Sequence, residues 1–100
     1  MSDQYLSNQI CRVLRLVKQL AGHETTGMTL TELSEKLECS PSQVLRDLHN
    51  LRSEGFAENL PDDDKRWRLG FACAQISNRV RLHLDQAQLQ QDMTNYSKVF

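Results

Sequence analysis

The sequence predicts a mainly α fold with one small β-hairpin and a long C-terminal helix. Three observations carry this. Residues 40–55 form a short helix with both ends encoded; a second short helix joins it through only Glu38, Cys39 and Ser40; and the hydrophobic period switches from helical to alternating over residues 56–69. A length of 100 residues suits one domain with one modest core.

The first helix is expected over residues 4–21, with Ser2 or Asp3 as its cap and Gly22 as its stop. Leu6, Ile10, Val13, Leu14, Val17, Leu20 and Ala21 fall on one stripe and should face the core. Arg12, Arg15 and Lys18 lie opposite with no acid among them, as a solvated face or as phosphate contacts. Residues 23–27 read as a polar loop, and residues 28–30 as one brief strand. Thr31 is a good N-cap for the second helix, which turns Leu33 and Leu37 inward. Glu32, Glu35, Lys36 and Glu38 face water there, and the early acids suit the helix dipole.

The third helix carries the most local information. Ser40 can cap it, and Pro41 occupies the first helical position, where a missing N–H costs nothing. Gln43 stands at capping-box spacing from Ser40, and Gly55 can take the left-handed conformation that ends the helix. At about 100° per residue, Val44, Leu45, Leu48 and Leu51 share one side. Ser42, Gln43, Arg46, His49, Asn50 and Ser53 share the other. That outer side has no acid and is rich in long or forked hydrogen-bonding groups, the mix that can enter a DNA major groove. It equally suits an ordinary solvated face. The short connection to the preceding helix makes a helix-turn-helix unit, in which the second helix is the one offered to the groove.

Residues 56–60 and 65–69 read as two strands around a turn at Pro61, Asp62, Asp63 and Asp64, with Gly70 closing the hairpin. A hairpin placed directly after a helix-turn-helix is the wing of a winged helix. Lys65, Arg66 and Arg68 put cations on it that can meet phosphates. The three aspartates at the tip oppose deep insertion into a minor groove, so contact is expected from the wing base. Trp67 is expected to cover the sheet or join the core.

Residues 71–95 return to helical spacing with two apolar stripes. Cys73, Ile76, Val80, Leu84 and Ala87 form one, expected to pack on the domain. Phe71, Leu82, Leu89, Met93 and Tyr96 form the other, expected to meet a second copy in a two-fold dimer. A bent helix folding both stripes onto one core is the alternative.

Composition narrows the function classes. The net charge of −1 rules out a uniformly basic nucleic-acid binder but leaves room for a local patch. Cys11, Cys39 and Cys73 are widely spaced, without a CxxC or a Cys/His cluster, and fit a reduced cytosol. No apolar run is long enough for a membrane span and the N-terminus lacks signal-peptide features, so a cytoplasmic location without membrane contact is expected. There is no glycine-rich phosphate loop, metal-spaced cluster or nucleophile–base pair, and His23, His49 and His83 are scattered. No enzyme activity, metal or cofactor is expected.

The stretch from Ile10 to Ile76 resembles the N-terminal DNA-binding domain of IclR-type transcriptional regulators. The resemblance rests on residues 13–17, 28–33, 40–46, 51–56 and 67–70, in that order and spacing. It implies a winged helix-turn-helix over residues 1–70 that binds DNA, followed by a C-terminal dimerisation helix over 71–100. It also implies DNA contacts from Ser42, Gln43 and Arg46 early in the recognition helix. The large effector domain usual in the family is not expected here, so ligand sensing is not carried over. The wing turn is more acidic than is usual in the family.

The function expected is a dimeric, sequence-specific double-stranded DNA-binding transcriptional regulator. Arg46 is assigned to a guanine edge, Gln43 and Asn50 to adenine, Ser40 and Ser42 to phosphate at the helix start, and Lys65, Arg66 and Arg68 to the backbone. The alternative is a winged-helix module that binds a protein partner and does not read DNA.

Overall fold

The computed structural model describes residues 3–87. A single 3-10 turn at Asp3–Tyr5 precedes helix α1 (Asn8–Leu20), strand β1 (Met28–Thr29), helix α2 (Leu30–Leu37), helix α3 (Pro41–Ser53), strands β2 (Ala57–Leu60) and β3 (Asp63–Leu69), and helix α4 (Phe71–Ala87). This is the mainly helical winged helix-turn-helix that the periodicity predicts.

The sheet has three strands in the order β1-β3-β2, all antiparallel. The brief strand at residues 28–29 therefore joins the hairpin, with Met28 opposite Trp67. Glu58 faces Arg68 and Asn59 faces Trp67, and the register shifts between Asn59 and Leu60. The core lies between the first three helices and the inner face of this sheet. It is built from Leu16, Leu20, Met28, Leu33, Val44, Leu48, Ala57 and Trp67. Trp67 is thus a core residue, as its place in the strand suggests.

The third helix starts and stops as its sequence dictates. The Ser40 hydroxyl accepts the Gln43 N–H, and the Gln43 side-chain carbonyl accepts the Ser40 N–H. At the other end the Gly55 N–H bonds to the Arg52 carbonyl and the Phe56 N–H to the Leu51 carbonyl, a Schellman arrangement with Gly55 at φ 81°. The hairpin closes onto this corner. The Gly70 N–H donates to the Phe56 carbonyl, and a Cβ on Gly70 would collide with the Gly55 carbonyl.

Several local expectations are corrected. The first helix begins at Asn8, with Ser7 as its N-cap, and not at residue 4. The second helix is capped by Thr29, not Thr31, through a capping box with Glu32. On α1 the inward face is rotated from the expected stripe. Leu16 and Leu20 are fully buried, whereas Leu6, Ile10 and Leu14 are exposed. The line through residues 12, 16 and 20, one residue per turn, faces inward instead, with Arg12 on the buried Asp47 and Leu16 and Leu20 in the core. On α4 the stripe expected to pack inward is largely outside it: Leu84 is buried, but Ile76 and Val80 are exposed.

Candidate nucleic-acid interface

The outer face of α3 is presented to solvent in full. Ser42, Gln43, Arg46, His49, Asn50 and Ser53 are all exposed. Among the described residues the Arg46 guanidinium has no hydrogen-bond or ion-pair partner, so its donor fork is available. Ser40 and Ser42 touch through their hydroxyls at 3.3 Å, at the N-terminal end where backbone N–H groups point outward.

Two of the expected base readers are partly committed. The Gln43 side-chain carbonyl serves the cap, and the Asn50 Nδ2 donates to the Arg46 carbonyl at 2.8 Å. A bidentate adenine contact needs both the carbonyl and the amide of such a side chain. Each must therefore release or share its intrahelical bond first.

The inward side of α3 carries a feature left unassigned from sequence. Asp47 is only 1 % exposed and pairs with Arg12 of α1 through two bonds, Nε to Oδ2 at 2.6 Å and Nη2 to Oδ1 at 3.1 Å. The bond to Asp47 raises the Arg12 guanidinium above its ordinary pKa. Arg12 is thereby withdrawn from the basic outer face expected of it, while Arg15 and Lys18 remain exposed. The sequence holds a signal for this, since Asp47 lies three residues after Val44 and four before Leu51, on the core side. An acid there needs a cation, and the first helix supplies one.

The hairpin cations divide between the two faces of the sheet. Arg66 and Arg68 lie on the outer face and are engaged. Arg66 pairs with Asp63 at 3.5 Å, and Arg68 with Glu58 at 2.6 Å. Both also reach carbonyls of the loop before β1: Arg66 those of Thr26 and Gly27, Arg68 that of Glu24. Hairpin acids and loop carbonyls thus engage the donors of both arginines assigned to the DNA backbone. Lys65 alternates to the inner face with Trp67 and is exposed. Among the described residues its ammonium has no partner.

Between α3 and the hairpin lies a cleft of about 660 Å³, lined by Thr31, Leu45, His49, Arg52, Asn59 and Lys65 among others, with Trp67 at its floor. The Arg52 guanidinium stacks 4.4 Å from the Trp67 ring centre. The His49 ring meets Trp67 edge-on, with centroids 5.9 Å apart. Arg52 also donates to the Asn59 side-chain carbonyl, and the Asn59 amide donates to the Asp64 and Arg66 carbonyls. Helix and wing are thus tied together through one arginine, one tryptophan and one asparagine.

A helix-turn-helix with an exposed second helix and an adjoining hairpin defines the class as a winged helix-turn-helix domain. More narrowly, the chain belongs to the IclR helix-turn-helix domain family, whose model matches residues 10–61. It is similar to an IclR transcriptional regulator from Alicyclobacillus acidocaldarius, with 29 % identity and a TM-score of 0.67 over 76 % of this chain and 30 % of that one. It shares the fold of HmgR from Pseudomonas aeruginosa, at 21 % identity and a TM-score of 0.67, over 85 % of this chain and 34 % of that one. It also shares the fold of the Zalpha domain of Cyprinid Herpesvirus3 ORF112, described in its binding to Z-DNA. That likeness has 20 % identity and a TM-score of 0.51, over 60 % of this chain and 93 % of that one. The chain therefore spans about a third of the length of the two bacterial regulators. A comparison with proteins of curated function found no match. Among the described residues no helix is long and apolar enough to cross a membrane.

Proposed function

We propose that this chain is a sequence-specific double-stranded DNA-binding domain that regulates transcription as a homodimer. The observation that carries the reading is the acid-free exposed face of α3 with an unpartnered Arg46 at its centre. Family membership and the Alicyclobacillus relative, a transcriptional regulator, point the same way. Arg46 reads a guanine edge, Ser40 and Ser42 meet phosphate, and Gln43 and Asn50 supply secondary base contacts. Lys65 holds the backbone from the wing. Arg66 and Arg68, neutralised by their carboxylates, contribute little direct contact.

Residues 1–70 form the reading unit in this proposal and residues 71–100 the dimerisation element. Phe71 and Leu82 support it, being 71 % and 52 % exposed apolar side chains on one helix. Leu89, Met93 and Tyr96, assigned to the same contact, lie outside the described residues. A second copy doubles the phosphate contacts, which a net charge of −1 otherwise leaves few.

The test is selection from random duplex DNA at two salt concentrations, followed by Arg46→Ala. The variant should lose about 1–3 kcal/mol of discrimination at one base position. Equal loss on selected and random duplexes would remove Arg46 from base reading. The acidic wing tip, with Asp62 and Asp64 exposed, favours a second reading as a protein-interaction module. No duplex binding at low salt, together with a salt-insensitive complex with a protein, selects that reading.

A further inference from the structure

We infer that the groove between α1 and α2 docks an acidic segment of a partner protein, whose carboxylates pair with Arg15, Lys18 and Lys36 while an apolar residue covers Leu14. This surface lies apart from the reading face of α3 and from α4, and the inference does not depend on the role of either.

Three observations support it. First, cations converge there. The groove has a volume of about 460 Å³ and is lined by Arg15, Lys18 and Gln19 of α1 and by Lys36, Leu37 and Glu38 at the end of α2. Glu38 is the one acid among these lining residues, so three cations stand against one carboxylate. Arg15, Lys18 and Lys36 are exposed and make no ion pair among the described residues. Glu32, one turn before Lys36, instead accepts the Thr29 N–H with its carboxylate. Helix dipoles favour a cation in the last turn of α1 and of α2, which accounts for Lys18 and Lys36 singly. They do not account for Arg15, or for all three meeting in one groove. Second, apolar surface adjoins the charge. Leu14 is 56 % exposed one turn before Lys18, and Leu37 forms part of the groove wall. Cations edged by leucine suit a segment that carries both carboxylates and an apolar side chain, and suit a phosphate chain less well. Third, a duplex on α3 does not reach the groove. Arg12 of α1 bonds to Asp47 on the inward side of α3, so α1 lies behind the reading helix. Among the described residues none from α3 or the hairpin lines the groove. The width of α3, about 10 Å, stands between it and a duplex docked on the outer face.

The experiment titrates the whole chain into a labelled short peptide of glutamates with interspersed leucines and, separately, into a labelled random duplex. Anisotropy is followed at low and at moderate salt. Wild type is compared with Lys18→Gln plus Lys36→Gln and with Arg79→Gln plus Arg81→Gln. The second pair removes two exposed cations from α4 and so changes the net charge equally. Wild type should bind the peptide more tightly at low salt. Loss of Lys18 and Lys36 should weaken the peptide about five-fold, the size expected for two exposed ion pairs, and leave duplex affinity unchanged. The α4 pair should weaken the peptide less than about two-fold. Replacing the peptide leucines by serine should weaken wild-type binding a few-fold, and replacing its glutamates by glutamine should abolish it. Peptide affinity untouched by loss of Lys18 and Lys36, or lowered equally by both pairs, would overturn the groove assignment. So would a wild type that fails to bind the peptide at low salt. Lower duplex affinity on loss of Lys18 and Lys36 would give the groove to phosphate and overturn it as well. Peptide binding at the groove with no duplex binding at all would remove the DNA reading and leave this inference standing.

Discussion

Helices α3, of 13 residues, and α4, with 17 described residues, differ in how completely the rest of the domain defines them. α3 buries Val44, Asp47 and Leu48, is capped at both ends and presents a polar outer face. α4 buries Leu84 and leaves Phe71, Ile76, Val80 and Leu82 in solvent. The first is oriented by packing within the chain. The second keeps apolar surface that packing within the described residues does not cover. The fold is therefore expected to depend on α3, and assembly on α4.

The largest test of that contrast is Asp47→Ala. It leaves the largely buried Arg12 guanidinium unpaired and should cost about 3–5 kcal/mol, measured by urea denaturation. The double change Asp47→Leu with Arg12→Leu should recover most of that loss, since apolar pairs replace buried ion pairs well. A loss within experimental error for Asp47→Ala would show that α3 is not held through this pair. Next in size is Ser40→Ala, which removes one side of the α3 cap and should cost about 1 kcal/mol. On α4, Phe71→Ser with Leu82→Ser should shift monomer stability by no more than about 0.5 kcal/mol, as for exposed sites generally. The same pair should lower the sedimentation-derived mass from dimer to monomer. Unfolding by this double change would mean that α4 packs on the domain after all.

The smallest effect separates the two capping boxes. The α3 box uses a neutral glutamine, whereas the α2 box uses Glu32, whose bond from the Thr29 N–H lowers its pKa below the ordinary value. A carboxylate with a lowered folded pKa stabilises the fold above its unfolded pKa. That contribution fades as pH falls through the folded value. Wild type should therefore lose a little stability below the ordinary glutamate range. Glu32→Gln, which keeps a carbonyl for the cap, should lose less over the same range in an acid titration.

Much of the site was legible because its signals are local. Ser40, Pro41, Gln43 and Gly55 each act within about one turn of α3, so their spacing alone sets where it starts and stops. The outer residues follow from helical period once those ends are known. The first helix was harder. Its apolar arc is broad enough to admit more than one rotation, and only contact with α2, α3 and the sheet selects Leu16 and Leu20 over Ile10 and Leu14. The partners of Arg66 and Arg68 were not legible, because Glu58, Asp63 and the carbonyls of Glu24, Thr26 and Gly27 reach them through strand pairing and loop placement. Residues 88–100 lie outside the described part, and with them three of the five residues of the second α4 stripe, Leu89, Met93 and Tyr96.

The sequence by itself determined the order of elements, the ends of α3 and the acid-free face around Arg46. Capping, turn chemistry and periodicity act between neighbours along the chain. Only the tertiary structure decided that Arg12 belongs to Asp47, 35 residues away. It likewise decided that Arg66 and Arg68 pair with Asp63, Glu58 and the loop before β1 while Lys65 lines the cleft. A side chain's partner across the fold is chosen by strand register and helix rotation, and both are settled by burying a shared core.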